Sequence, residues 1–297
     1  MTVRTKAHLA LLGTNIFFAI NYTAIKYIIN GGFIKPFGLN IIRIAVTTIL
    51  LWGLYFLSPK KTIIHKKDYG RLFLCSLTGI AINQLLFIKG LSLTYSIHAS
   101  LLMLTTPILI TIIAAWVLKE KITIFKSFGL LLGIIGALVL LLNKEKIGNP
   151  TDVLLGDIFI ILNAISYAVY FVLVKPLMKV YDSIDVIRIL FTIGFFTTLP
   201  FCFTEFTQTD WQLYSIKEFL ILALIIFGGT FFAYLFNIYG IKILGASVAG
   251  SYIYLQLIFA ATIAIIFLGE EMATYKLLAG ALIFTGVYLA NKQTNNG

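Results

Sequence analysis

The sequence predicts an all-α membrane protein in which ten transmembrane helices form two inverted five-helix repeats. Three observations support this prediction: the composition is strongly apolar, the apolar residues fall into ten long runs, and part of the sequence recurs 150 positions later. Hydrophobic residues make up 60% of the 297 positions and charged residues only 12%. Soluble domains carry about 25% charged residues, so a chain this apolar needs lipid as its solvent.

Each of the ten runs has about the length, roughly 20 residues, that a helix needs to cross a bilayer. Pro107 falls inside the fourth run, where neighbouring helices can satisfy the carbonyl group that a proline leaves free. The predicted spans are 8–29, 37–57, 71–91, 97–118, 124–143, 155–175, 184–204, 217–240, 246–268 and 275–291.

The recurring part of the sequence covers Gly90–Leu140 and Gly240–Ala290. The matched pairs, which keep their spacing without a gap, are Gly90 and Gly240, Ala99 and Ala249, Glu120 and Glu270, Lys126 and Lys276, and Gly136 and Gly286. Because each half holds an odd number of spans, two homologous halves must enter the membrane in opposite senses. Many secondary transporters are built on such inverted repeats, with the substrate site at the interface of the halves.

The halves divide at a polar stretch that contains Gly148, Asn149 and Pro150, a composition typical of a linker. We therefore predict four parts of the chain. They are a first repeat over residues 1–143, a linker over 144–154, a second repeat over 155–292 and a tail over 293–297.

Lysine and arginine residues predict the orientation. With the N-terminus in the cytoplasm, 14 of the 23 basic residues face the cytoplasm and 6 face outside, and the loop Pro59–Arg71 is the strongest single indication. This bias predicts a multi-pass protein of the cytoplasmic (inner) membrane with both termini in the cytoplasm. Since loop residues account for the net charge of +11, the expected partners are the lipid bilayer and a small-molecule substrate, and not a nucleic acid.

Both halves carry residues that resemble one known family. These residues are Gly90-Leu91, Ala99-Ser100, Pro107, Lys119-Glu120-Lys121-Ile122-Thr123 and Gly129 to Gly136, then Tyr239-Gly240, Ala246-Ser247, Leu268-Gly269-Glu270 and Gly280 to Gly286. On them, nearly the whole chain resembles the EamA domain of the drug/metabolite transporter superfamily. The resemblance implies a ten-span carrier of a kind that often exports amino acids and other small metabolites. Lys119 departs from the family pattern, in which a glycine usually precedes the glutamate.

The sequence contains none of the motifs for ATP binding, zinc proteolysis or a nucleophilic serine, namely G-x-x-x-x-G-K-[ST], H-E-x-x-H and G-x-S-x-G. We therefore expect no enzyme activity, no cofactor and no metal site. Movement of a solute would then draw its energy from gradients.

Amide and phenol side chains recur on equivalent faces of six predicted spans. Asn163, Tyr167 and Tyr170, for example, are spaced i, i+4 and i+7 and share one helix face. Polar groups at membrane depth are costly, so a shared cavity at the repeat interface is one explanation and hydrogen bonding between packed helices is the other. The candidate lining residues are Asn21, Gln84, Asn163, Tyr167, Tyr170, Tyr234, Asn237, Tyr252 and Gln256.

Three further side chains are candidate charge partners for a substrate: Arg43, Lys26 and His98. Lys26 is expected to extend to the outer headgroups and His98 to be an ordinary interfacial histidine. Arg43 lies deeper, and either role remains open for it. Glu120 and Glu270 are expected to cap the next helix in the chain. Because no carboxylate is expected near a span centre, facilitated diffusion is favoured over proton coupling, which stays open.

The leading hypothesis is a secondary carrier that exports small metabolites, amino acids or similar amphipathic solutes, by alternating access. The alternatives are an uptake carrier for a nucleotide-derived or sugar-like metabolite and, in another class, a membrane scaffold or sensor without flux. Glycines at small-residue spacing, at Gly129, Gly133, Gly136, Gly280 and Gly286, favour close helix packing. Such packing could serve the fold or a homodimer.

Overall fold

The computed structural model describes residues 1–58, 64–118, 124–142, 152–244 and 252–291, and within these ranges the chain is helical without a β-strand. The helices of the first half are α1 (Val3–Asn30), α2 (Pro36–Leu57), α3 (Tyr69–Ser76), α4 (Ile82–Leu93), α5 (Ser96–Met103), α6 (Thr106–Leu118) and α7 (Ile124–Leu142). Those of the second half are α8 (Val153–Val180), α9 (Ser183–Thr207), α10 (Ile216–Ala223), α11 (Ala233–Leu244), α12 (Ile253–Leu268) and α13 (Thr274–Asn291).

Six helical segments of the described chain are long and apolar enough to cross a membrane. They are Val3–Asn30, Pro36–Leu57, Lys66–Leu93, Val153–Met178, Ser183–Thr207 and Ile216–Leu244, and each overlaps a predicted span. Three shorter apolar helical segments, Ser96–Ile110, Ser127–Leu140 and Leu255–Leu268, overlap further predicted spans. The structure thus confirms an all-α chain with several helices that can span a membrane. The count of ten spans stays a prediction.

The fourth predicted span is broken near its middle, where α5 ends at Met103 and α6 begins at Thr106. Pro107 has no N–H to donate to the Met103 carbonyl, which weakens an α-helix at this point. The backbone instead forms hydrogen bonds that span three residues, as in a 3₁₀-helix. Leu104 N donates to Leu101 O at 3.1 Å, and Thr105 N donates to Leu102 O at 3.0 Å.

The helices of one half pack mainly against helices of the other. α2 packs along α9, and α7 packs along α13. α1 contacts α11 and α12, while α8 contacts α4 and α6. A shift of about 150 residues converts α1 to α8, α4 to α11 and α6 to α12. The contacts of α8 are therefore those of α1 with the halves exchanged.

Two helices of the described chain pass through a π-helical turn at matching places in the halves. Leu77–Ala81 connects α3 to α4, and Leu224–Phe232 connects α10 to α11. Insertions of this kind release backbone carbonyls from their usual helical partners and are frequent at functional sites. Both π-helical turns lie within the helices that carry the candidate residues Gln84 and Tyr234.

Glycines bring α7 and α13 into backbone contact. A Cβ added to Gly136 would lie 2.9 Å from Ala279 O, and one added to Gly286 would lie 2.5 Å from Gly129 O. Small residues permit such close approach of membrane helices. These glycines therefore serve the packing of the chain itself, while a homodimer stays a prediction.

Glutamates near helix ends of the second half cap helices of the first half. Glu205 Oε2 accepts from Phe37 N at 2.6 Å, at the start of α2. The Glu270 carboxylate accepts from Ser96 N at 2.8 Å, at the start of α5. The prediction that Glu270 caps the next helix in the chain is wrong, because its two carboxylate oxygens accept from Ser96 N and Ile97 N at the start of α5. The preceding Gly269, with a left-handed φ of 65°, ends α12. Glu120 lies outside the described residues.

Candidate substrate site and the Asp157 network

Gln84 and Tyr234 join the two halves deep in the bundle. Gln84 Nε2 donates to the Tyr234 hydroxyl at 2.7 Å. The Tyr234 ring also meets Phe18 and Phe191 edge to face, with centroid distances of 6.2 and 5.3 Å. A phenol and an amide are thus held on an apolar wall built from α1, α4, α9 and α11, which is the surface expected of a site for amphipathic solutes.

Asn163 acts in helix packing. Its Nδ2 donates to Asn83 O at 2.7 Å, and Asn83 Nδ2 donates to Asn163 O at 3.2 Å. Nearby, Ser166 Oγ donates to Thr78 O at 2.7 Å, a carbonyl within the first π-helical turn. Hydrogen bonds between side chains of one membrane helix and the backbone of another hold the helices together. For Asn163, the observed bonds therefore favour the packing role over a lining role.

Tyr167 and Tyr170 lie side by side on α8, with ring centroids 5.7 Å apart. Asn237 of α11 lies close to the Tyr167 side chain. Tyr170 packs on Gly79, where an added Cβ would come within 2.5 Å of its ring. The structure therefore brings together Gln84, Asn163, Tyr167, Tyr170, Tyr234 and Asn237, which we call the central cluster.

Gln256 lies on α12 and Tyr252 directly precedes this helix, and both contact α1. Gln256 Nε2 is 3.4 Å from the hydroxyl of Tyr22, a residue that the sequence analysis did not select. The Tyr22 ring meets Phe87 edge to face at 5.4 Å. Tyr252 lies apart, near the N-terminus of α1, where its hydroxyl is 2.7 Å from His8 Nδ1.

Asn21 and Arg43 contact consecutive residues of the second π-helical turn. Asn21 is buried against Gly229, and its amide oxygen has no hydrogen-bond partner. Arg43 Nε donates to Thr230 Oγ1 at 3.0 Å. Thr230 lies at the midpoint of the helical segment Ile216–Leu244, so both side chains reach the middle of the bundle.

A second group of buried polar side chains lies where α5 and α8 begin. The Asp157 carboxylate accepts from the Thr94 hydroxyl and lies 2.9 Å from His98 Nδ1. His98 Nε2 lies 3.1 Å from the Tyr275 hydroxyl. Asp157 and His98 are both 0% exposed, so the pair is fully withdrawn from solvent.

Lys26 and Glu270 continue this group toward α1. Their side chains are 3.9 Å apart and buried, and Lys26 Nζ donates to Thr94 O. The Glu270 carboxylate in turn accepts from the Ser96 and Ile97 N–H groups at the start of α5. An acidic group at a helix N-terminus is stabilised by the free N–H groups and the helix dipole. We call Lys26, Thr94, His98, Asp157, Glu270 and Tyr275 the Asp157 network.

Two expectations from the sequence are wrong in this network. Lys26 does not extend to the headgroups, because Glu270 and the Thr94 carbonyl hold it inside the bundle. His98 is not an interfacial histidine, because Asp157 and Tyr275 bind both of its ring nitrogens. Asp157 was not among the candidate residues, although it is the single carboxylate of α8.

The opposite end of the bundle carries an open cavity of about 670 Å³ between the starts of α1 and α9 and the helix α11. Leu9, Leu54 and Phe236 form part of its apolar wall, and Asp182 and Lys242 lie on its rim. Asp182 Oδ2 and Lys242 Nζ are 3.2 Å apart and remain about half exposed, in contrast to the buried ion pairs of the Asp157 network. In the described residues no three His, Cys, Asp or Glu side chains come together to hold a metal ion.

An all-helical chain with several membrane-length helices, joined at depth by amide, phenol and charged groups, is a multi-pass membrane protein. Residues 5–142 and 154–292 both match the EamA-like transporter family. The chain belongs to this family and is a membrane transporter.

Relatives extend over nearly the whole chain. It is 24% identical over 291 residues to the uncharacterized transporter YoaV of Bacillus subtilis (strain 168), and this alignment covers 96% of each chain. It is 26% identical over 318 residues to the WAT1-related protein At3g53210 of Arabidopsis thaliana, covering 96% of this chain and 85% of the relative. A solved crystal structure covers 95% of this chain and 96% of its own, with a TM-score of 0.63 and 18% identity, and so shares the fold.

Proposed function

We propose that the protein is a secondary carrier that exports small metabolites, amino acids or similar amphipathic solutes, across the cytoplasmic membrane by alternating access. The observation that carries this proposal is the Gln84–Tyr234 hydrogen bond and the polar cluster around it, which joins the two halves deep in the bundle. A carrier needs its site at the interface of two bodies that can rock against each other.

Ten spans in two inverted halves, with both termini in the cytoplasm, form the topology of this proposal. The exchange of packing partners between α1 and α8 supports it. In this orientation the Asp157 network lies at the outer end and the 670 Å³ cavity opens toward the cytoplasm. Reporter or cysteine-labelling fusions at each loop test the topology, and a loop between consecutive spans that labels on the same side as its neighbour would contradict it.

Opening to the outside would separate the halves at the Asp157 network. Its bonds join first-half residues Lys26, Thr94 and His98 to second-half residues Asp157 and Glu270. Separation in a poorly solvated interior is costly unless water enters with it. Facilitated diffusion is the proposed mode, and the buried carboxylate–imidazole pair makes proton coupling the alternative. Export measured against outside pH decides between them.

Extracellular metabolite profiling tests the function. Cells would express the intact protein, the Asn21→Ala/Tyr170→Ala double variant, or the control Tyr288→Ala, whose side chain lies on the exposed face of α13. At matched membrane abundance, we expect one or a few metabolites to accumulate outside with the intact protein and the control alone. Identical profiles in all three strains would count against export, and the same solutes would then be offered from outside as a test of uptake.

A further inference from the structure

Arg43 carries a buried positive charge that no carboxylate of the described residues neutralises. The residue is 3% exposed, its Nε donates to Thr230 Oγ1, and its Nη1 has no hydrogen-bond partner. Thr230 is central in its membrane-length helix, so the guanidinium lies where a charge is most costly. Charged side chains at this depth are typically paired or functional, and Arg43 is not paired.

The other cationic candidates already have anionic partners. Lys26 lies 3.9 Å from Glu270, and His98 lies 2.9 Å from Asp157. Arg188, which has the same Ile-Arg-Ile sequence context in the second half, lies 3.5 Å from Asp185 and stacks on the ring of Tyr55. Among the described residues, Arg43 therefore differs from these three in having no carboxylate partner, and its Nη1 is free to donate to an anionic ligand.

Asn21 provides a hydrogen-bond acceptor next to the π-helical turn that Arg43 also contacts. Its amide oxygen is buried without a partner, and a Cβ on Gly229 would lie 2.4 Å from that oxygen. Gly229 precedes Thr230 directly, and consecutive Cα atoms are about 3.8 Å apart. An unused acceptor and an unused cationic donor thus flank one short stretch of the second π-helical turn, with the aromatic wall of Tyr234 one helical turn further on.

We propose that Arg43 binds the carboxylate of the transported solute and that the Asn21 amide oxygen accepts from its ammonium group. A zwitterionic amino acid carries both groups, and the rings of Phe18, Phe191 and Tyr234 would face its apolar side chain. Planar guanidinium groups match carboxylates in geometry as well as charge. This assignment rests on the proposed carrier function and names the residues that would bind the two charged groups of an amino acid.

Efflux from proteoliposomes tests the assignment on the purified full chain. The vesicles would hold the twenty standard amino acids together with a set of uncharged sugars and nucleosides, and released solutes would be measured by mass spectrometry. For the amino acid released fastest, its decarboxylated amine and its deaminated acid would be loaded in a second round. The variants are Arg43→Gln, Arg43→Lys and Asn21→Ala, with Arg188→Gln as the matched control because that arginine already has a carboxylate partner.

We expect the intact protein to release amino acids and to release the decarboxylated amine poorly. Arg43→Gln should slow amino acid efflux by about 30-fold or more, as expected for loss of a buried charged hydrogen bond, while Arg43→Lys keeps part of it. Asn21→Ala should release the amino acid and its deaminated acid at nearly equal rates. Arg188→Gln should keep the solute preference of the intact protein, whatever its abundance.

Three results would overturn the assignment while leaving the carrier proposal intact: amine release as fast as amino acid release, unchanged efflux in Arg43→Gln, or release of sugars or nucleosides alone. Release of no solute by the intact protein would overturn both proposals. If Arg43→Gln does not reconstitute, the ratio of amino acid to deaminated acid in Asn21→Ala decides, because a ratio within one preparation does not depend on abundance. A ratio equal to that of the intact protein contradicts the assignment.

Discussion

Gly79 and Tyr170 touch across the two halves, because a Cβ at residue 79 would lie 2.5 Å from the Tyr170 ring. Gly229, 150 positions after Gly79, faces Asn21 in the same way at 2.4 Å. Both glycines lie in the π-helical turns, and both partners are candidate lining residues on the first helix of the other half. The same contact is thus made twice with the halves exchanged.

Adding a methyl group at residue 79 should destabilise the fold. In Gly79→Ala the new Cβ would clash with ring atoms of Tyr170 that lie close to its Cβ, and rotation of the side chain cannot move them away. We therefore expect the free energy of unfolding to fall by about 1–3 kcal/mol. Thermal unfolding of the purified protein in detergent measures it. Gly53→Ala is the matched control, because a Cβ there meets nothing within 4 Å. Equal stability of the two variants would contradict the close contact.

The α7–α13 contact should be even less tolerant. A Cβ in Gly286→Ala would lie 2.5 Å from Gly129 O, a backbone atom that can move only with its helix. We expect a larger loss of stability than for Gly79→Ala, measured by the same unfolding assay. Gly280→Ala on the same helix is the control, since its Cβ would meet only the end of the flexible Leu101 side chain at 3.1 Å. A mild effect at residue 286 would argue against direct backbone contact.

The Asp157–His98 pair should be worth far more than the Asp182–Lys242 pair. Asp157→Ala leaves His98 and Thr94 buried without their acceptor, and breaking a buried pair costs about 3–5 kcal/mol. Lys242→Ala should cost less than about 1 kcal/mol, because its pair with Asp182 is exposed to solvent. A double-mutant cycle with His98→Ala measures the coupling. Similar costs for Asp157→Ala and Lys242→Ala would show that the network does not hold the halves together.

A substitution at the Gln84–Tyr234 hydrogen bond tests whether these residues line a substrate site or only pack the helices together. Tyr234→Phe removes the acceptor of Gln84 Nε2 and should cost about 1 kcal/mol of stability, the usual worth of one neutral hydrogen bond. A lining residue should also lose export at unchanged membrane abundance. The exported metabolite and the abundance are measured together in cells. A fall in export that only follows the fall in abundance would favour packing.

Much of the helical layout could be read from the sequence. Apolar runs of membrane length fixed α1, α2, α8 and α9 to within a few residues, although α1 begins at Val3, five residues before the predicted span. The π-helical turns were not predicted, because no residue type marks the change from α-helical to π-helical hydrogen bonding, in which each bond spans one residue more. Six of the nine candidate lining residues lie in the central cluster, whereas Asn21 contacts Gly229, Gln256 contacts Tyr22 and Tyr252 contacts His8. Their role as a lining stays a prediction.

Partners between helices could not be read from the sequence. Lys26 and His98 were expected in the headgroup region because both fall near the ends of predicted spans. Their carboxylate partners Glu270 and Asp157 are far away in the chain. The sequence determined what the bilayer and the local backbone control, namely composition, helix length and repeat spacing. The tertiary structure decided which buried charges are neutralised and that Arg43 is not, because those pairings depend on how whole helices pack and not on spacing along one of them.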